Sequence, residues 1–198
     1  MGKNKFATNG SFCVSEFLEV RINKLKQKMM TKLNTKELIE QMQNISIVQL
    51  KKRVCGEQIG IGLYRDVYVL KSNPDYVVKI ERDMSTSNFA NVTEWRNYIN
   101  NKEWKWLTDW LAPCEMINTN GQVMIQRRVE HRKRKDYPKY IPAMFTDLKL
   151  RNFGWIGEQF VCCDYSFIPF YFIKVGKSKM KYAKWWGTLK LTEGRKKK

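Results

Sequence analysis

Thr146-Asp147-Leu148-Lys149-Leu150-Arg151-Asn152-Phe153-Gly154, followed by Phe160-Val161-Cys162-Cys163-Asp164-Tyr165-Ser166, sets Asp147, Lys149, Asn152 and Asp164 at offsets 0, +2, +5 and +17. Between the two runs, Trp155-Ile156-Gly157-Glu158-Gln159 reads as a tight turn joining two short apolar strands. Such a hairpin folds Asp164 back beside Asn152, so that an amide oxygen and a carboxylate face one hard cation. Asp147 then lies nearby, free to accept a proton from an attacking hydroxyl. By residue type alone, the stretch also fits a solvated polar hairpin.

Working outward, the 198-residue chain is of a length for one domain, and hydrophobic residues at 43% with seven Trp are ample for a core. A formal charge of +18 implies attraction to nucleic acid, acidic proteins or polyphosphate ligands without choosing among them. Five cysteines (Cys13, Cys55, Cys114, Cys162 and Cys163) include no C-x-x-C pair, and the single His leaves no zinc-ligand set. Reduced thiols in an intracellular protein are the expectation. The N-terminal residues hold no apolar signal core, and the run Phe167 to Ile173 is too short to span a bilayer. We therefore expect a soluble cytoplasmic protein with no membrane partner.

Residues 1–10 read as a loose tail. Apolar residues at 18, 22, 25, 29 and 33 form a helical stripe, and Asn34 with Glu37 resembles a capping box opening a second helix through about Asn44. Gly60-Ile61-Gly62 and Val67 lie between apolar strands, and after a turn at Ser72–Asp75 comes the strand Tyr76-Val77-Val78-Lys79-Ile80. Asn91 to Tyr98 reads as a helix carrying Glu94, and Trp104, Trp106, Leu107, Trp110 and Leu111 continue a helical stripe. Cys114–Ile117 and Val123–Gln126 read as a hairpin turning at Asn118–Gly121. Beyond Asp164 come ten Lys/Arg against one Glu, interleaved with Tyr171, Phe172, Tyr182, Trp185 and Trp186, a mixture suited to stacking and phosphate contact with nucleic acid.

The order Gly60/Gly62/Val67, Lys79, Glu94, Asp147/Lys149/Asn152 and Asp164 resembles the protein-kinase-like fold over about residues 56–166. The short chain resembles the small, divergent Ser/Thr protein kinases of tailed bacteriophages. What the resemblance implies is an ATP site: Gly60 and Gly62 in the loop over the phosphates, Val67 over the adenine, and Lys79 on the α- and β-phosphates, held by Glu94. It also implies Asp147 and Lys149 as catalytic residues, Asn152 and Asp164 as Mg²⁺ ligands, and Ile125 or Met124 near the adenine. Departures are Arg65 at the third glycine, Thr146 in place of Arg before the catalytic Asp, and Ser166 in place of the Gly of D-F-G. About twenty residues stand where the family inserts two helices.

The implied fold class is α+β: an antiparallel β-sheet N-lobe over residues 56–130, an N-terminal helical extension over 1–55, a strongly truncated C-lobe over 131–170, and a basic aromatic tail over 171–198. The implied function is ATP- and Mg²⁺-dependent transfer of the γ-phosphoryl group to Ser/Thr hydroxyls of a protein substrate, a host protein if the chain is viral. The alternative is a kinase-like binding protein that holds nucleic acid or an acidic host protein on its basic surfaces.

Overall fold

Short β-branched runs separated by turn residues build one antiparallel sheet. The computed structural model describes residues 38, 42, 45–82, 89–168 and 179–189, which fall within a compact unit spanning Asn34–Lys198. The expected tail at 1–10 and the helical stripe at 18–33 lie outside the described residues, as does the Asn34/Glu37 cap. Leu38 and Met42 are helical and buried, as the second helix required.

Helix α1 (Ile47–Val54) starts at a capping box: Gln49 N–H donates to Ser46 Oγ, and Ser46 N–H to Gln49 Oε1, both at 3.3 Å. Lys51, Lys52 and Arg53 in its last turn complement the helix dipole. The chain then runs through β1 (Cys55–Ile61), β2 (Arg65–Leu70) and β3 (Tyr76–Glu81). After α2 (Ala90–Asn100) and the short α3 (Lys105–Thr108) come β4 (Cys114–Ile117) and β5 (Val123–Arg127).

The five strands form one sheet in the order β1-β2-β3-β5-β4, every neighbouring pair antiparallel. Its middle strand, β3, is buried along its whole length. The molecule is thus mixed α+β, with this sheet as its largest element. The helix expected to run past Trp104 is broken by a turn at Asn101–Glu103, where Trp104 N–H donates to Asn101 C=O. Leu107 and Leu111 are nonetheless buried, as the stripe required.

Beyond β5 the elements are small: β6 (Tyr140–Pro142), β7 (Phe153–Ile156), β8 (Gln159–Cys162) and β9 (Met180–Tyr182). β7 and β8 pair around a turn in which Gly157 takes φ +60°, a left-handed value that glycine adopts without strain. β9 pairs with β6, carrying the segment 179–189 onto the body of the protein. Trp185 on that segment enters a cluster of Tyr137, Phe153, Trp155 and Phe160, with ring centroids 4.8–5.8 Å apart. The hydrophobic term and favourable edge-to-face ring geometry act together there. Trp185 is therefore a core residue, whereas Tyr182 and Trp186 are exposed. Among the described residues no helix is long and apolar enough to cross a membrane.

Candidate functional site

Strand alternation puts Lys79 and Glu81 on the same face of β3, and α2 packs against that strand. Glu81 Oε1 accepts the Asn91 N–H at 2.7 Å, placing a carboxylate on the first turn of α2 where the exposed amide donors and the dipole favour it. The helix so anchored presents Glu94, which is completely buried, to Lys79.

Glu94 is a four-donor hub. Its Oε1 accepts from Lys79 Nζ at 2.5 Å and from Gln126 Nε2 at 3.0 Å. Its Oε2 accepts from Arg65 Nη2 and from the Tyr165 N–H, both at 3.1 Å. Two buried cations on one buried carboxylate leave one positive charge to neutralise, and Asp164 supplies the balancing carboxylate: Arg65 Nη2 also donates to Asp164 Oδ1 at 2.7 Å. Burial pushes the Asp164 carboxyl up, but Arg65 and then Lys79 outweigh it and hold the group below the usual carboxylate range. Lys79 Nζ makes a second bond, to the Cys163 carbonyl.

The hairpin read from the sequence forms, but its turn is tighter than expected: Trp155, Ile156 and Gln159, read as turn residues, lie in the paired strands. Phe153 pairs with Cys162, and Cys163 N–H donates to the Asn152 carbonyl at 2.8 Å, so Asp164 follows directly beside Asn152. Asn152 Nδ2 and Lys149 Nζ both donate to Asp147 Oδ2 at 3.0 Å. Lys149 also lies 4.8 Å over the Trp186 ring, and Trp186 C=O accepts the Leu150 N–H. The C-terminal segment is thus part of the loop that carries Asp147.

Between the sheet and this hairpin lies a cleft of about 380 Å³, within the range of small-molecule sites. Gly60, Gly62, Val67 and Lys79 line it from the sheet, and Asn152 and Asp164 from the hairpin. A Cβ on Gly62 would stand 3.0 Å from the Arg65 carbonyl, and one on Gly60 would stand 3.1 Å from Val67 Cβ, so both positions favour glycine for close packing. Asp147 lines a smaller adjoining hollow that shares Asn152 and Asp164. Of the other expected residues, Lys149 reaches the region through its bond to Asp147, and Glu94 stands behind the cleft wall on Lys79.

Three features were missed in the sequence. Arg65, read there only as a missing glycine, is buried and ties Glu94, Asp164 and Asn91 together. Met124 and Ile125, expected beside the base, do not line the cleft, whereas Gln126 and Arg127 at the end of the same strand do. Arg128, His131 and Arg151 add basic and imidazole groups to the wall. Burial lowers the pKa of His131, which leaves the ring neutral at pH 7.

No protein-family model matches this chain, and no curated protein matches it.

Proposed function

We propose that the cleft binds ATP and that the protein transfers the γ-phosphoryl group to a Ser/Thr hydroxyl of a protein, on a protein-kinase-like scaffold. The observation that carries this reading is the buried Lys79–Glu94 pair facing Asn152 and Asp164 across a glycine-walled, basic cleft. Phosphoryl transfer asks mainly for positioning and charge stabilisation. In this reading Lys79 grips the α- and β-phosphates, Val67 covers the base, and the loop at Gly60 and Gly62 closes over the phosphates. Asp147 orients the acceptor hydroxyl and takes its proton, while Lys149 steadies the γ-phosphate.

The donor atoms suit Mg²⁺. Asn152 spends its Nδ2 on Asp147, leaving Oδ1 to accept, and Asp164 spends Oδ1 on Arg65, leaving Oδ2. Both remaining atoms are hard oxygens, the kind Mg²⁺ binds beside phosphate oxygens and water. Among the described residues no group of three His, Cys, Asp or Glu side chains could hold a metal, so Asn152 and Asp164 would hold Mg²⁺ only together with phosphate oxygens and water. When bound, Mg²⁺ would supply charge neutralisation on the phosphate oxygens.

One observation favours a second reading, a kinase-like protein that only binds: the Arg65 guanidinium already neutralises Asp164. Its basic surfaces would then hold nucleic acid or an acidic protein. The test is to incubate the protein with Mg²⁺, γ-labelled ATP and a cell lysate beside the Lys79→Met/Asp164→Asn variant. Label on itself or on lysate proteins, absent from the variant, supports transfer. ATP binding without label supports the binding reading, and loss of both removes the nucleotide site.

A further inference from the structure

Gln126 is fully buried in β5 and is one of the residues that line the cleft. Its amide orientation is fixed by chemistry: Nε2 lies 3.0 Å from Glu94 Oε1 and 3.4 Å from the Ala112 carbonyl, and both can only accept. The oxygen must therefore take the other end of the amide. Among the described residues, Gln126 Oε1 is the one buried side-chain oxygen or nitrogen without a hydrogen-bond partner. A buried acceptor left without a donor is costly, and native structures rarely keep one without a use.

We propose that Gln126 Oε1 accepts a hydrogen bond from the exocyclic amine of the bound nucleobase, making Gln126 the residue that selects a 6-aminopurine. This rests on the nucleotide-binding reading above. Val67 from β2, Val77 from β3 and Val129 just beyond β5 line the cleft with Gln126 and make an apolar slot for a flat ring. A 6-oxopurine would set a carbonyl oxygen against Oε1, two acceptors facing each other, and a purine without a 6-substituent would leave Oε1 unmet. A site built around one hydrogen bond rejects analogues that lack it because its own polar atom is then stranded. Glu94 fixes both ends of the device, since the carboxylate that holds Lys79 also holds the Gln126 amide in its reading orientation.

The experiment measures binding of ATP, inosine triphosphate and purine riboside triphosphate to the full chain and to Gln126→Met and Gln126→Leu, with a thermal melt of each. The unsubstituted protein is expected to bind ATP about tenfold or more tightly than either analogue. Both substitutions also remove the bond to Glu94, so they weaken all three ligands together, and the readout is the ratio. We expect that ratio to fall to about threefold or less. Equal binding of the three by the unsubstituted protein overturns the role of Gln126 and leaves the nucleotide site standing. Persistence of the ratio in a folded variant overturns it too. Failure of all three to bind removes the proposal and the nucleotide-binding reading together. The unsubstituted ratio needs no variant to fold.

Discussion

Glu94→Gln tests whether the buried hub holds the two halves of the site together. The substitution keeps shape and removes one negative charge. Glu94 Oε1 serves Lys79 and Gln126, and Oε2 serves Arg65 and the Tyr165 N–H. A glutamine has one oxygen, so however its amide turns, two of these donors face an NH₂ group. Each stranded buried donor costs about 1–3 kcal/mol, for about 2–6 kcal/mol in all. Breaking a buried ion pair by removing one partner gives a similar figure, about 3–5 kcal/mol. For a domain of this size that lowers the melting temperature by roughly 4–24 °C. Arg65→Met leaves Glu94 with Lys79, so the two changes share a network, and their sum should exceed the loss in the double variant by about 1 kcal/mol or more. Calorimetry of the two single variants and the double variant is the assay. A Glu94→Gln melt within about 3 °C of the unsubstituted protein, or strict additivity with Arg65→Met, would refute the hub.

On the phosphoryl-transfer reading, Asp147→Asn is expected to leave folding and nucleotide binding intact and to lower label transfer by about a thousandfold, the scale of a lost general base; unchanged turnover removes Asp147 from the proposed chemistry. Burial pushes the Cys163 thiol up to about 12, against the opposing pull of Lys79, so at pH 8 this half-buried cleft thiol carries little thiolate and should alkylate at least about a hundredfold more slowly than a free thiol. Raising the pH towards 11 should speed labelling of Cys163 steeply, as followed by mass spectrometry; a rate equal to that of free cysteine at pH 8 contradicts the assignment. Trp185→Ala, which empties a place in the aromatic core, should cost about 3–5 kcal/mol of stability in a denaturant melt, whereas Trp186→Ala on the exposed face should cost under about 1 kcal/mol. Equal effects would place Trp185 outside the core.

Local order was legible in the sequence because its causes are local. The apolar, β-branched run Tyr76–Ile80 and the turn within Trp155–Gln159 mark the strands before any long-range contact matters. The approach of Asp164 to Asn152 followed, since a hairpin between the two runs brings their outer ends together. The Ser46–Gln49 capping box was equally local and could have been read as the start of α1. Tertiary structure decided the rest. Arg65 looks like a lost glycine until a chain separation of 99 residues is closed and Asp164 meets it. Gln126 acquires its unmet oxygen only because Glu94, 32 residues earlier, claims its nitrogen. Trp185 reads as part of a nucleic-acid-binding tail until β9 pairs with β6 and carries it into the core. Hydrogen-bond satisfaction and burial are sums over everything within a few ångströms, and sequence spacing does not contain those neighbours. The sequence by itself determined the strands and the polar residues available to the cleft. The fold decided which of those charges are buried, which are already paired and, among the described residues, which buried side-chain acceptor is left without a donor.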